Sequence, residues 1–238
     1  MAEKREKLYE GKAKIVYATD EPDVIVHYFK DSATAFDGKK KGEITGKGSV
    51  NAQVSAVLFK LLEEAGIKTH FRSRQGAKEL VTDRLEMVPL EVIGRNIAAG
   101  SLAKRLGYEE GQALKKAIVE FYYKDDVLGD PVVNEDHIAE LAVATPDEVS
   151  RLREIALKVN EILSRFFDLL GLSLVDFKLE FGRKAGELVL ADEISPDTCR
   201  LWDKATGERL DKDRFRRDLG RVEDAYQEIL ARVKGAAV

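Results

Sequence analysis

Residues Leu174–Asp203, LVDFKLEFGRKAGELVLADEISPDTCRLWD, predict a strand with an ionisable face around which the rest of the chain can be organised. In the first half of this stretch, apolar residues alternate with charged ones, which is the pattern of an amphipathic β-strand. The charged positions are Asp176, Lys178 and Glu180. A strand whose whole polar face is ionisable is unusual, because like charges on one face cost energy unless something binds between them.

The same stretch predicts a β-hairpin. A second strand, Glu187–Ile194, follows a loop that we assign to Lys184–Gly186, whose glycine can supply the left-handed residue of a three-residue turn. This loop places Lys178 opposite Asp192 across the two strands.

In this register Glu180 faces Leu190, and Glu180 and Asp192 become diagonal neighbours on one face, about 7–8 Å apart at the backbone. Two carboxylates at that spacing predict a shared divalent cation, and oxygen-only ligands suit Mg²⁺ that arrives with nucleotide phosphates. A surface hairpin with a Lys–Asp cross-strand pair is the alternative. The continuation, Ser195–Asp203, weakens that alternative because a proline turn delivers Arg200 beside the carboxylates.

Composition argues against several classes of protein. Of 238 residues, 44% are hydrophobic and 34% charged, which suits one large domain or two lobes that share a cleft. The net charge of −4 argues against binding to nucleic acid or to an anionic membrane. With one cysteine, Cys199, no signal-peptide core and no membrane-length apolar run, we expect a cytoplasmic protein. The histidines, His27, His70 and His137, show no spacing typical of zinc ligands.

The N-terminal segment predicts an antiparallel meander. Leu8–Tyr17 contains two strands joined by a turn at Gly11, and Val24–Phe29 is the third strand. Lys12 and Lys14 would lie on one face of the second strand, where two positive charges suit a triphosphate. An ordinary solvated hairpin is the alternative.

The next segment, Asp37–Gly48, contains four glycines and four lysines in the sequence DGKKKGEITGKG. Two interpretations stay open: a surface loop, or a basic flap that closes over phosphorylated ligands. Helical spacing then predicts a scaffold helix over Lys47–Ala65, and a strand is predicted over Ile67–Arg72.

A candidate anion site follows the predicted strand Glu91–Asn96. Ser101 is a suitable N-cap for a helix that ends at Gly107. A helix N-terminus beside Arg95 predicts phosphate binding, whereas simple capping by Ser101 is the alternative.

Further along the chain, the acidic loop Asp125–Glu135 contains Asp130, which is either a ligand or a turn former. Thr145–Glu148 is a capping box with proline at the first helical position, and it predicts a long helix that ends at Gly171. Apolar residues at helical spacing from Val222 onwards predict a final amphipathic helix.

Five motifs, in order and covering essentially the whole chain, resemble those of the SAICAR synthetase (phosphoribosylaminoimidazole-succinocarboxamide synthase) family. They are GKAK at Gly11–Lys14, RNxxxGS at Arg95–Ser101, VDFKLEFG at Val175–Gly182, DExSPDxxRLWD at Asp192–Asp203 and DKDRFR at Asp211–Arg216. The resemblance implies ATP-dependent ligation of 5-amino-1-(5-phosphoribosyl)imidazole-4-carboxylate (CAIR) with L-aspartate, which yields SAICAR, ADP and phosphate in purine biosynthesis. The residues alone leave a kinase-like small-molecule phosphotransferase as the alternative.

The family also implies an α+β fold of two lobes, with antiparallel sheets, flanking helices and an ATP cleft between the lobes that is reminiscent of kinases and ATP-grasp enzymes. We expect a nucleotide-binding lobe over residues 1–90 and a substrate- and metal-binding lobe over residues 91–238. We also expect a homodimer.

The resemblance assigns roles to individual residues. For the nucleotide and the metal these are Lys12 and Lys14 at the ATP phosphates, Met87 and Glu91 at the adenine, and Glu180 and Asp192, with Asp130, at Mg²⁺. For the substrates these are Arg95, Ser101 and Arg200 at the ribonucleotide, Asp37 and Gly38 in the flap over it, and Arg216 and Lys212 at the aspartate. Lys178 would stabilise the transferred phosphoryl group, and Asp176 is the candidate base for the amine.

Overall fold

Two large antiparallel sheets and the helices packed on them make up the fold. The structure, a computed structural model, describes residues 2–35 and 38–236. In these ranges the strands are β1 (Lys4–Glu10), β2 (Lys14–Thr19), β3 (Val24–Phe29), β4 (Ser32–Ala35), β5 (Lys40–Glu43), β6 (Phe71–Gln75), β7 (Glu79–Asp83), β8 (Glu86–Ile97), β9 (Ala113–Tyr123), β10 (Val132–Val133), β11 (Leu172–Lys184), β12 (Glu187–Ala191) and β13 (Cys199–Asp203). The helices are α1 (Lys47–Glu64), α2 (Gly100–Leu106), α3 (Glu135–Glu140), α4 (Pro146–Leu169), α5 (Asp213–Arg216) and α6 (Val222–Ala236). The α+β class expected from the sequence is confirmed.

The first sheet has the strand order β1-β2-β3-β7-β6 and contains the predicted N-terminal meander. Strand β2 pairs with β3 so that Lys14 lies opposite Phe29 and Val16 lies opposite His27. Side chains two residues apart on a strand point to the same face. Lys14, Val16 and their partners therefore share a face, and this face forms one wall of the cleft described below.

The second sheet has the order β10-β9-β8-β11-β12, and β13 also pairs with β11. One edge of β11 is bonded to β8 over Asp176–Arg183. The other edge is divided, because β13 pairs with Leu172–Phe177 and β12 pairs with Glu180–Lys184. Lys178 therefore lies where β13 and β12 separate.

The predicted charged face of β11 is confirmed, because Asp176, Lys178 and Glu180 all line the cleft described below, although Asp176 and Glu180 are themselves only 4% exposed. The apolar residues of β11 are at most 1% exposed: Val175, Phe177, Leu179 and Phe181. A Cβ atom at Gly94 on the neighbouring strand would lie 2.3 Å from the ring of Phe177, so the two strands pack closely only because residue 94 is glycine. Helix α4 packs on this sheet and begins at the predicted capping box, in which Thr145 and Glu148 exchange hydrogen bonds.

The predicted hairpin loop is wrong by one residue. Lys184 pairs with Glu187, so the loop contains only Ala185 and Gly186, with φ of 50° and 80°. Two-residue type I′ loops require positive φ at both positions. The sequence did not signal this loop because alanine rarely adopts a left-handed conformation.

The shorter loop changes the predicted cross-strand pairs. Glu180 lies opposite Ala191 rather than Leu190, and Lys178 does not lie opposite Asp192. In a regular strand Asp192 would then point away from the face of Glu180. Asp192 follows the end of β12, however, and its φ of 64° is left-handed. Both carboxylates consequently line one cleft, as predicted.

Helix α2 begins differently from the prediction. Its N-cap is Ala99, which makes no side-chain capping bond. Ser101 lies in the first turn, and its hydroxyl group accepts a hydrogen bond from Nη2 of Arg95 at 3.1 Å. Gly107 ends the helix with φ of 71°, as predicted.

The glycine- and lysine-rich segment is partly ordered as strand β5, which pairs with β4. Asp37 lies outside the described residues, whereas Gly38 has φ of 82° and lines the cleft. The scaffold helix is confirmed as α1, and the strand predicted from residue 67 begins instead at Phe71. The final amphipathic helix is confirmed as α6. The described helices include none with the length and hydropathy that a bilayer-crossing segment needs.

Candidate active site

A single cleft of about 1010 Å³ contains every predicted site residue that the structure describes. Its walls come from both large sheets and from the segments that follow β12 and β13. The predicted residues that line it are Lys12, Lys14, Gly38, Met87, Glu91, Arg95, Ser101, Asp130, Asp176, Lys178, Glu180, Asp192, Arg200, Lys212 and Arg216.

One end of the cleft contains a group of carboxylates paired with lysines. Nζ of Lys178 lies 2.7 Å from Oε1 of Glu180 and 2.9 Å from Oε1 of Glu91. Lys124 pairs with the other oxygen of Glu180. Burial and the charge of Asp192 raise the pKa of Glu180, but the two lysines outweigh them and keep this pKa below its ordinary value. Glu180 is therefore ionised at neutral pH.

Asp192 belongs to the same group. Burial raises its pKa, but Lys14 and Lys178 lower it well below the ordinary value. Lys14 pairs with Asp192 and also lies 3.0 Å from Oε1 of Glu193. Burial lowers the pKa of Lys14, and these two carboxylates raise it above its ordinary value. Lys14 and Lys178 are thus cationic. Lys14 reaches Asp192 from the first sheet, whereas Lys178 lies on the same sheet as its partners Glu91 and Glu180.

The other end of the cleft contains arginines arranged around Asp176. Oδ2 of Asp176 accepts hydrogen bonds from Nη1 of Arg95 at 3.0 Å and from Nη1 of Arg200 at 2.7 Å. Arg95 is only 2% exposed and also donates to Glu120 and Tyr122. Arg95 is therefore a buried support, whereas Arg200, with 18% of its side chain exposed, has more surface free for a ligand.

Arg200 is positioned by contacts on two sides. Nε of Arg200 donates to Asp213 at 2.9 Å, and Arg216 donates to the same carboxylate at 2.6 Å. A Cβ atom at Gly100 would lie 2.7 Å from Nη2 of Arg200. The glycine of the RNxxxGS motif therefore lets the first turn of α2 approach the guanidinium group closely.

Asp197 connects the region after β12 to the last helix. Its Oδ1 accepts from the hydroxyl of Tyr226 at 2.6 Å, and its Oδ2 lies 2.8 Å from Nζ of Lys47 and 3.6 Å from Nζ of Lys212. Lys212 lines the cleft, next along the chain to Asp213. Lys47 is 1% exposed and does not line it.

Three predicted residues lie nearer the mouth of the cleft. Lys12 pairs with Asp126 at 2.7 Å on the surface, and Met87 is 44% exposed. Asp130 has φ of 48°, and its Oδ1 accepts from the N–H of Asp125 at 2.9 Å. This contact is that of a turn former, which was the alternative interpretation of Asp130.

Sequence reasoning missed several side chains that line the cleft. Lys124, which pairs with Glu180, follows the end of β9 with no motif around it. Glu193 and Asp197 stand inside the quoted stretch after β12, but the sequence did not distinguish them from ordinary surface acids. The rings of His27 and His70 also line the cleft, and burial lowers their pKa to about 4 and about 3.

The fold and the cleft define a two-sheet protein with a strongly charged cleft between its sheets, which has lysines and carboxylates at one end and arginines at the other. Comparison with known proteins gives the family. The SAICAR synthetase model matches residues 7–233, and the chain belongs to the SAICAR synthetase family. It is therefore an ATP-dependent ligase.

Individual relatives support this assignment. The phosphoribosylaminoimidazole-succinocarboxamide synthase of Clostridium acetobutylicum is 54% identical over 98% of this chain and 99% of its own. The crystal structure of the synthase from Ehrlichia chaffeensis is 47% identical and matches with a TM-score of 0.94 over 96% of this chain and 98% of its own. A SAICAR synthetase solved in complex with ADP is 54% identical and matches with a TM-score of 0.93 over 95% of this chain and 97% of its own.

Proposed function

We propose that this cleft joins CAIR to L-aspartate at the expense of ATP, with SAICAR, ADP and phosphate as products. Membership of the ligase family supports this reaction over the kinase-like alternative. The observation that carries the assignment of the site is the order of charged residues on β11. Asp176 contacts the arginines at one end of the cleft, whereas Lys178 and Glu180 belong to the paired lysines and carboxylates at the other end. All three side chains line the same cleft.

The nucleotide is proposed to bind against the first sheet. Lys14 is a half-buried cation on that wall, where it would contact phosphate oxygens, and Lys12 is the more exposed of the two lysines. Met87 and Glu91 on β8 would line the adenine pocket, and the ADP complex of a close structural relative supports nucleotide binding in this fold.

Glu180 and Asp192 have the donor chemistry that Mg²⁺ prefers. Both are ionised carboxylates that line the same cleft, and in this structure neighbouring lysines compensate their negative charge. When bound, Mg²⁺ would neutralise phosphate charge during phosphoryl transfer. Asp130 stays a weaker candidate because its carboxylate is already used in a turn.

The ribonucleotide is proposed to bind at the arginine end. Arg200 would contact the 5′-phosphate together with Ser101, while Arg95 would keep both in place from beneath. Arg216 and Lys212 line the adjoining wall and would contact aspartate. Asp37 and Gly38 belong to the proposed flap over the ribonucleotide.

The chemistry follows from the weakness of a carboxylate as an acylating agent. Attack of the CAIR carboxylate on the γ-phosphorus of ATP forms an acyl phosphate, while the bond from the γ-phosphorus to the bridging oxygen breaks and ADP leaves. In the acyl phosphate, phosphate is a good leaving group. Lys178 would stabilise the charge that develops during this transfer. Burial lowers its pKa, but the carboxylates of Glu180 and Glu91 outweigh this effect and raise the pKa well above the ordinary value, so the side chain stays cationic. The amine of aspartate then attacks the acyl carbon and displaces phosphate.

Three further expectations stay proposals. The nucleotide lobe over residues 1–90 and the substrate lobe over residues 91–238 meet inside β8, which spans Glu86–Ile97. A homodimer and a cytoplasmic location are proposed on the family resemblance and on the single cysteine.

A phosphate-release assay tests the proposed reaction. ATP, Mg²⁺ and CAIR are incubated with the enzyme, with and without L-aspartate, and SAICAR is followed by its absorbance. We expect phosphate and SAICAR to appear together, in equal amounts, only when aspartate is present. Phosphate release that ignores aspartate would instead support the phosphotransferase.

A further inference from the structure

We propose that Lys212 is the base of this reaction, and that its Nζ atom accepts the proton that the ammonium group of L-aspartate must lose before attack. The inference deepens the proposed ligation and rests on it. It replaces the earlier candidate, Asp176.

The first argument is the geometry around Asp197. Tyr226 and Lys47 already satisfy its two oxygens, at 2.6 Å and 2.8 Å. Lys212 approaches the same Oδ2 atom only to 3.6 Å, which is beyond hydrogen-bonding distance. Within residues 2–35 and 38–236, Asp197 is the one carboxylate within 4.0 Å of Nζ of Lys212. The ammonium form of Lys212 therefore has no close acceptor of its own.

The second argument is the charge around Lys212. Burial lowers its pKa most strongly, and the cations Arg216 and Lys47 lower it further. The carboxylates of Asp197 and Glu193 oppose this shift without cancelling it. The pKa of Lys212 consequently falls below that of an ordinary lysine, so its neutral amine forms more readily than that of an exposed lysine.

The third argument is position. Lys212 precedes Asp213, which receives both Arg200 and Arg216 at the ribonucleotide end. The charge of Glu193, which pairs with Lys14 at the phosphate end, also acts on Lys212 and raises its pKa. Lys212 therefore lies between the two ends, where the amine must meet the acyl phosphate.

The other titratable groups that line this part of the cleft are poorer bases. Asp176 is committed to two arginines, and Glu193 accepts from Lys14 and from the hydroxyl of Ser195. Protonated His27 or His70 would be a strong acid, because burial lowers their pKa to about 4 and about 3. Lys212 has neither drawback.

The proton transfers balance as follows. The ammonium group gives one proton to Nζ of Lys212, and the freed lone pair forms the C–N bond to the acyl carbon. The C–O bond to phosphate breaks, and the second nitrogen proton leaves with the departing phosphate as HPO₄²⁻. Lys212 returns its proton to solvent when the product leaves.

Lys212→Arg is the main test, because arginine keeps the positive charge but cannot become neutral in the accessible pH range. We expect kcat with aspartate to fall about 100-fold or more, with a small change in the KM for aspartate. The residual kcat should rise with pH without reaching a plateau, as solvent hydroxide replaces the lysine. If Lys212→Arg instead retains wild-type kcat and pH profile, or if only the KM changes, Lys212 binds aspartate without acting as a base.

Hydroxylamine separates this proposal from the proposed function. Hydroxylamine is neutral at pH 7.5 and needs no base, so the variant should form hydroxamate from ATP and CAIR at the wild-type rate. A parallel loss of hydroxamate and SAICAR would overturn the role of Lys212 in deprotonation. If the wild type forms no hydroxamate, the proposed acyl phosphate is wrong, but the role of Lys212 is not affected. In that case the pH profile of Lys212→Arg still decides whether Lys212 is the base.

Two controls address folding and local charge. Lys47→Arg changes a lysine on the same carboxylate that does not line the cleft, so it should leave the shape of the pH profile unchanged. Lys212→Ala tests the base by rescue, since added primary amines should restore SAICAR formation more strongly as their basicity increases. No rescue by any amine in a variant that still binds ADP would contradict the proposal.

Discussion

The carboxylates of Asp192 and Glu180 meet in the cleft because the backbone of Asp192 is left-handed. Glu180 lies opposite Ala191, so a regular strand would send the next side chain to the other face of the sheet. The φ of 64° at Asp192 reverses that direction at the end of β12. Aspartate and asparagine are among the few non-glycine residues that adopt this conformation readily.

Asp192→Asn should nearly abolish ligation while leaving the fold intact, because asparagine tolerates positive φ but lacks the charge that pairs with Lys14 and suits Mg²⁺. We expect kcat to fall at least about 100-fold in steady-state assays, with an unchanged circular dichroism spectrum. Glu187→Gln, an exposed acid on the same hairpin, is the matched control and should retain activity. Wild-type turnover of Asp192→Asn at saturating Mg²⁺ would show that Asp192 is not a metal ligand.

Arg200→Ala should mainly raise the KM for CAIR, because Arg200 is the partly exposed arginine at the end of the cleft opposite the lysines. Loss of one charge-assisted contact to phosphate corresponds to about 2 kcal/mol, or roughly a 30-fold increase in KM. The KM values for CAIR, ATP and aspartate are measured separately. An effect confined to aspartate would place the ribonucleotide phosphate elsewhere.

Gly100→Ala should reproduce part of this effect without removing any functional group. The added methyl group would lie 2.7 Å from Nη2 of Arg200 and displace the guanidinium group. Gly107→Ala is the matched control. Gly107 ends the same helix and also has positive φ, but a methyl group added there would meet nothing within 4 Å. Both variants should lose about 1 kcal/mol of stability from backbone strain, and only Gly100→Ala should raise the KM for CAIR. Equal KM values in the two variants would contradict the role assigned to the glycine.

His70→Phe should make the stability of the protein less dependent on pH. Burial lowers the pKa of His70 from 6.5 to about 3. As the pH falls below 6.5, this histidine therefore takes up a proton in the unfolded chain but not in the folded protein. The free energy of unfolding is therefore highest above pH 6.5 and decreases as the pH falls towards 3. Nε2 of His70 is buried without a partner, and its ring packs edge-on against Phe59, which suits phenylalanine.

Urea unfolding of wild type and His70→Phe at several pH values between 4 and 8 measures this effect. The free energy of unfolding of the wild type should fall more steeply on acidification than that of the variant. Parallel curves would mean that His70 binds its proton at the same pH in the folded protein as in the unfolded chain.

The sequence predicted the elements whose signals are local. The capping box at Thr145, the charged face of β11 and the glycine at the end of α2 all act within a few residues of themselves, and all are confirmed. Most of the site was predicted as a set because its residues occur in motifs that resemble those of a known family, and all the predicted residues that the structure describes line one cleft.

The remaining features depend on contacts that are distant in the chain. Ser101 was predicted as a helix cap, but its hydroxyl group instead accepts a hydrogen bond from the buried Arg95. No local sequence pattern could show this contact. The hairpin register depended on whether Ala185 adopts positive φ, a choice decided by strand twist rather than by propensity. Lys124 meets Glu180 only because β9 and β11 both flank β8 in the sheet.

The strand β11 is bonded along both edges, and this has a consequence for the substrates that the enzyme can accept. From Asp176 to Glu180, four residues of extended chain span about 13 Å. The separation between the arginine end and the lysine end is therefore set by covalent geometry and resists stretching. The strand therefore selects substrates by length: an anion that matches this separation can contact both ends of the cleft, whereas a shorter or longer one can contact only one.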